Sequence, residues 1–137
     1  MLARREHSRR ELHDKLLKKG CTQEIAAETV QRLEQERLVS DERFMESLIR
    51  ARRNRGYGPL RIQKELQDKG VTAEAIERWL DVSGSEWLED IRRVQRKKFG
   101  ARLPKSYPER ARQARFLQYR GFTYDQIQKV LNPHGQD

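Results

Sequence analysis

Residues 58–80, GPLRIQKELQDKGVTAEAIERWL, decide the fold, because they contain two amphipathic helical segments joined by a short Gly-Val-Thr turn. The same pattern recurs at 8–30, SRRELHDKLLKKGCTQEIAAETV, and at 109–131, ERARQARFLQYRGFTYDQIQKVL. In each copy a leucine stands four residues before a glycine, and a threonine stands two residues after it. The three sets are Leu16, Gly20 and Thr22, then Leu66, Gly70 and Thr72, then Leu117, Gly121 and Thr123. This recurrence predicts three structural joints of one kind.

Each residue of the joint has a physical role. The glycine is expected just past a helix end in the left-handed backbone conformation, where a Cβ would cost about 1–2 kcal/mol. The threonine is expected to cap the next helix by accepting a hydrogen bond from one of its free N–H groups. Between them, Cys21, Val71 or Phe122 is expected to meet the preceding leucine. The sole cysteine of the chain is therefore interpreted as structural.

A further helix is predicted before the second and third pairs, starting near Ser40 and near Ser83, since apolar residues recur there at helical spacing. Ser8 and Ser83 are each followed three residues later by a glutamate, which is the spacing of a capping box. Pro59 and Pro108 are expected at the first position of the helices that follow them. Strand signals are nearly absent.

The predicted fold is all-α, with tandem three-helix repeats forming an elongated, curved right-to-left array of small bundles. The repeats are expected at 1–38, 39–82 and 83–137. The first helix of repeat 1 is expected to be truncated, because few residues precede its helix pair. Such an array suits an extended partner surface.

The charge of the chain points to an anionic partner. Among its 137 residues are 30 Lys and Arg against 21 Asp and Glu, for a net charge of +9. Residues 50–120 carry a net charge of +10, whereas 21–49 carry −4. A basic protein of this kind most often binds nucleic acid. The sequence has neither an apolar run of membrane-spanning length nor an apolar signal segment, so a cytoplasmic protein without membrane association is expected.

The segments LARREHSRRELHDKLLKKG, GYGPLRIQKELQDKG and ARQARFLQYRGF resemble the RecX family of bacterial regulators of the RecA recombinase. The resemblance covers nearly the whole chain in order, and its most specific part is GYGP-x-RI-x-x-EL-x-x-KG. It implies tandem three-helix repeats and a non-enzymatic, intracellular protein. It also implies binding along the groove of RecA–DNA filaments and restraint of RecA activity, with no cofactor.

Basic residues at corresponding helix ends are the candidate contacts for DNA or RecA. Arginines in a last helical turn also stabilise the helix, but four within six residues exceed that need. Because the arginine guanidinium binds phosphate and carboxylate equally well, these residues fit contacts with DNA and contacts with RecA alike. The candidates are Arg4, Arg5, Arg50, Arg52, Arg53, Arg55, Arg93, Arg96, Lys97, Lys98, Arg112 and Arg115.

Aromatic residues give weaker signals. Tyr57 is a possible contact, by base stacking, although a linker tyrosine packed over the joint is the alternative. Tyr107, Tyr119 and Tyr124 lie among arginines, an interleaving that suits single strands or partial burial. Both tryptophans, Trp79 and Trp87, lie on apolar stripes and are expected in the core. The isolated histidines, His134 among them, form no metal motif, and no catalytic residue is predicted.

Three functions fit these observations. The first is a monomeric modulator of the RecA filament that limits ATPase, strand exchange and filament growth, with single- and double-stranded DNA as further partners. The second is a stand-alone basic DNA-binding helical-repeat protein, whose binding would collapse with salt. The third is a helical-repeat adaptor that binds an acidic protein through its basic face.

Overall fold

A computed structural model describes residues 5–133, and all regular structure in that range is α-helical, which confirms the all-α prediction. None of the helices in this range is long and apolar enough to cross a bilayer. Eight helices are described: α1 (Arg9–Lys18), α2 (Gln23–Gln35), α3 (Asp41–Asn54), α4 (Pro59–Asp68), α5 (Ala73–Trp79), α6 (Glu86–Phe99), α7 (Tyr107–Arg120) and α8 (Tyr124–Leu131).

Three helix pairs, α1–α2, α4–α5 and α7–α8, are joined by the same backbone geometry. The glycines at the joints, Gly20, Gly70 and Gly121, have φ of 99°, 83° and 103°. In the third joint the Phe122 N–H donates to the Leu117 carbonyl at 3.2 Å. The Gly121 N–H donates to the next carbonyl of the helix at 3.0 Å, and these two bonds make a Schellman motif. The other joints contain the same bonds, with the carbonyls of Leu16 and Leu66 as the first acceptors.

Threonine side chains cap the helix after each joint. The hydroxyls of Thr22, Thr72 and Thr123 accept from the backbone N–H three residues later, each at 3.2 Å. Only Thr123 completes a capping box, because the Gln126 side chain also accepts from the Thr123 N–H, at 2.9 Å. These contacts are all local, so each helix pair is fixed by residues within one short stretch of sequence.

The first of two compact units comprises the chain up to Ile49 together with Lys64–Trp79. Here α1 packs on α2, and a hydrophobic cluster forms from Leu12, Val30 and Val39 with Leu16 and Leu33 packed against it. The chain entry to α1 is anchored as well, since the Ser8 hydroxyl donates to the Lys69 carbonyl at 2.8 Å.

The second unit comprises Arg50–Gln63 and the chain from Leu80 onward. In it α6 packs against α7 and α8, which also pack against each other. Its core contains Trp87, Ile91, Leu117 and Phe122, each at most 1% exposed. The repeat boundaries expected at 1–38, 39–82 and 83–137 stay a prediction.

Three local expectations are wrong. Helix α6 begins two residues later than a Ser83 cap requires, because the Asp81 carboxylate accepts from the Ser83 N–H at 3.0 Å and holds a turn there. Pro108 occupies the second helical position, since α7 already starts at Tyr107. Trp79 is the last residue of α5 and is 46% exposed, whereas Trp87 is buried as expected.

Candidate nucleic-acid interface

A groove in the second unit is lined by five cationic side chains and no acidic one. Its volume is about 640 Å³. Of these five cations only Arg93 has an ion-pair partner among residues 5–133, and Arg55 and Lys97 also make no cation–ring contact there. The lining residues are Asn54, Arg55, Gly56, Tyr57, Arg93, Val94, Lys97, Lys98, Phe116 and Arg120. Cations that are not neutralised within the protein favour an anionic ligand.

The groove depends on a close approach between the segment after α3 and the end of α7. The Gly58 N–H donates to the Arg120 carbonyl at 2.7 Å, and the Leu60 N–H donates to the Gly121 carbonyl at 2.9 Å. A Cβ on Gly58 would lie 2.5 Å from the Gly121 carbonyl carbon, so only glycine fits at this position. Tyr57 is thereby held beside Arg120.

Stacked cations and rings extend from the groove. The Arg61 guanidinium carbon lies 4.1 Å from the Tyr57 ring centroid and 5.4 Å from that of Tyr119. The Arg120 guanidinium carbon lies 5.2 Å from the Tyr57 ring centroid and 5.2 Å from the Phe116 ring centroid. We call Tyr57, Arg61 and Tyr119 the stacking ladder. Tyr119, at its outer end, is 73% exposed.

Arg53, one of the predicted contacts, is occupied inside the protein. Its Nε donates to Asp90 Oδ2 at 2.7 Å and its Nη2 donates to Asp90 Oδ1 at 3.1 Å. Its guanidinium carbon also lies 4.9 Å from the centroid of the Trp87 ring. The hydrogen bond to Asp90 raises the pKa of Arg53 despite an opposing effect of burial. Arg53 therefore links the end of α3 to α6 within the second unit and lies outside the groove lining.

Of the predicted basic side chains at the end of α6, some line the groove and one faces solvent. Arg93, Lys97 and Lys98 line the groove, whereas Arg96 is exposed outside it. Arg93 also donates to Asp90 Oδ1 at 3.1 Å, with its side chain still 61% exposed. This helix supplies three of the five groove cations.

Four further arginines of the predicted set are outside the groove lining. Arg112 places its guanidinium 5.4 Å from the Phe99 ring centroid, and Arg115 is exposed on α7. Arg50 and Arg52 lie on α3 and make intramolecular interactions. The groove thus selects a subset of the basic residues.

At the N-terminus, Arg4 lies outside the described residues, and Arg5 is paired. Arg5 Nη2 donates to Glu11 Oε2 at 2.7 Å, and Lys69 Nζ donates to the same oxygen at 3.1 Å. Burial raises the pKa of Glu11, but the hydrogen bonds from Arg5 and Lys69 outweigh it and lower the pKa from 4.5 to about 2. Arg5 therefore stabilises the start of α1 in the first unit.

The sequence did not single out Arg120 or Phe116 as groove residues. Arg120 precedes the joint glycine, where a cation also stabilises the helix end, and it is one of the arginines that lie among Tyr107, Tyr119 and Tyr124. Its Nη1 donates to the Arg55 carbonyl at 3.1 Å, a contact across 65 positions that local patterns do not reveal. Within residues 5–133 no group of three His, Cys, Asp or Glu side chains is placed to hold a metal ion.

Comparison with known proteins identifies the family. Models of the first, second and third three-helix domains of RecX match residues 1–33, 40–80 and 85–131. A regulatory protein RecX from Pseudomonas fluorescens is 42% identical over 137 residues, covering 100% of this chain and 88% of the relative. The protein belongs to the RecX family.

Other RecX proteins agree with this assignment. The regulatory protein RecX of Ectopseudomonas mendocina is 43% identical over 131 residues, which cover 96% of this chain and 87% of the relative. The crystal structure of RecX from Lactobacillus salivarius superposes with a TM-score of 0.80 and 22% identity, covering 96% of this chain and 88% of that one. The latter similarity shows that the two chains share the RecX fold.

Proposed function

We propose that this RecX protein binds RecA–DNA filaments along their groove and restrains the ATPase, strand exchange and filament growth of RecA. Support comes from family membership and from the resemblance of its motifs to RecA regulators. The observation that carries the proposal is the basic groove of the second unit, which offers an anionic partner five cations and no acidic side chain.

The groove suits the phosphates of filament DNA or the carboxylates of RecA. Arg55 and Lys97 are the two groove cations for which binding would break neither an internal ion pair nor a cation–ring contact. Arg93 would keep its Asp90 contact, since its side chain is still 61% exposed. From the predicted set, we retain Arg55, Arg93, Lys97 and Lys98 as contacts, and we add Arg120.

The test is RecA ATPase on single-stranded DNA with substoichiometric protein. We expect wild type to inhibit and the double variant Arg55→Glu/Lys97→Glu to lose most inhibition. Arg32→Glu/Arg78→Glu is the matched control, because both of its arginines are exposed, neither lines the groove, and the change in net charge is the same. Absence of inhibition by wild type at any ratio would overturn the proposal.

A stand-alone basic DNA-binding protein is the second candidate, favoured by the same groove. It predicts that binding to DNA without RecA weakens steeply with salt. Under this candidate the groove variant loses DNA binding, and wild type leaves RecA ATPase unaffected. Retained inhibition by a variant that no longer binds DNA would instead show that contacts with RecA dominate.

The remaining features of the proposal follow from the sequence. We propose a cytoplasmic monomer built of repeats 1–38, 39–82 and 83–137. Sedimentation of the purified protein tests the monomer, and cross-linking to a RecA–DNA filament followed by peptide mapping shows which repeats contact RecA and which contact DNA.

A further inference from the structure

We propose that the basic groove binds single-stranded DNA in preference to double-stranded DNA, and that Tyr119 and Tyr57 of the stacking ladder provide faces for its bases. This inference rests on the proposed function, because it uses the same groove. It specifies which form of DNA is preferred and which side chains distinguish single-stranded from double-stranded DNA. Two independent observations support it, the charge of the groove and the exposed Tyr119 ring beside it.

The charge of the groove accounts for affinity for DNA but not for a preference between single-stranded and double-stranded DNA. Arg55, Lys97 and Lys98 present cations that can neutralise phosphates of either a single strand or a duplex. Phosphate contacts of this kind position a nucleic acid without distinguishing its form or sequence. A preference for one form requires a second kind of contact.

The stacking ladder supplies such a contact. Tyr57 lines the groove, and Arg61 lies against both Tyr57 and Tyr119, so the ladder leads from the groove to an exposed ring. Tyr119 keeps 73% of its surface accessible although Arg61 restrains it. A ring that is already held in place loses less conformational entropy when a base stacks on it.

Only a single strand can use these rings without a penalty. In a duplex, both faces of each internal base are covered by its neighbours, so stacking on protein first requires unstacking, which costs a few kcal/mol. Bases of a single strand present free faces, and aromatic side chains beside a basic track are typical of single-strand binding sites. The combination of groove and ladder therefore favours a single strand.

The test compares binding of short oligothymidine and of a duplex of equal length, at one fixed salt concentration and without RecA. Tyr119→Ala is expected to weaken oligothymidine binding about tenfold and to leave duplex binding unchanged. Tyr119→Phe should retain wild-type binding, because the ring and not the hydroxyl does the stacking. Circular dichroism checks that each variant is folded.

Tyr124→Ala is the matched control. Tyr124 lies in the same unit, is 78% exposed and belongs to no stacked group among the described residues. It should bind both forms of DNA as wild type does. Arg55→Glu/Lys97→Glu, in contrast, should weaken binding of both forms.

The outcomes separate this inference from the function on which it rests. If Tyr119→Ala weakens both forms equally, or neither, the stacking role is overturned, even when RecA inhibition and its dependence on Arg55 and Lys97 persist. If wild type fails to inhibit RecA but Tyr119→Ala loses single-strand binding selectively, the proposed function fails and the single-strand site stands.

Discussion

Arg53 and Asp90 form a bidentate ion pair across 37 positions of the chain, with contacts of 2.7 and 3.1 Å. The Asp90 side chain is only 5% exposed, and Arg93 provides it with a further donor. A buried carboxylate needs such partners, because an unpaired charge away from water is costly. This pair therefore engages one arginine of the most basic stretch of α3 in an internal contact, and it connects that stretch to α6.

Asp90→Ala should destabilise the protein by about 2–4 kcal/mol, because it leaves the partly buried Arg53 without its acceptor. Urea denaturation measures the loss. Asp125→Ala is the control, since its pair with Lys129 is exposed and should contribute less than about 1 kcal/mol. Equal effects of the two substitutions would contradict a structural role for the Arg53–Asp90 pair.

Gly121→Ala should cost more stability than Gly20→Ala. Both glycines have φ near 100°. Each substitution therefore places a residue with a Cβ in the left-handed backbone conformation, which costs about 1–2 kcal/mol. At Gly121 the new Cβ would also lie 2.5 Å from the Cβ of Arg61, whereas nothing lies within 4 Å at Gly20. Thermal unfolding of both variants gives the comparison, and a larger loss for Gly20→Ala would refute it.

Leu66→Ala should lower the free energy of unfolding by about 2–5 kcal/mol, because it leaves a cavity at a joint. Leu66 is fully buried, while Leu60 on the same helix is 43% exposed. Leu60→Ala is therefore expected to cost far less in the same urea titration. Similar losses for the two leucines would mean that the joint is not tightly packed.

Acidification should remove a stabilising contribution of Glu11. Its pKa is about 2 in the folded protein against 4.5 in the unfolded chain, so its stabilisation is present above pH 4.5 and is lost as the pH falls toward 2. Glu11→Gln should be less stable than wild type at neutral pH, and the difference should shrink across that interval. Denaturation of both proteins at several pH values measures it, and a constant difference would rule out the shifted pKa.

The groove residues show where prediction from the sequence ended. The basic stretches and Tyr57 were found because residue type and helical spacing are visible in the chain itself. Which arginines line the groove could not be predicted from the sequence. Arg53 and Arg55 differ only in their distant neighbours, because Arg53 contacts Asp90 whereas Arg55 contacts the end of α7. Arg120 and Phe116 were missed for the same reason.

The sequence by itself determined the all-α fold, the three joints and the family. Each joint consists of hydrogen bonds between residues at most five positions apart, so local chemistry is enough to specify it. Only the tertiary structure decided which charges are neutralised and which rings are exposed, as in the contrast of Trp79 with Trp87. Burial and ion pairing depend on groups that the fold brings together from distant parts of the chain, and no local pattern encodes them.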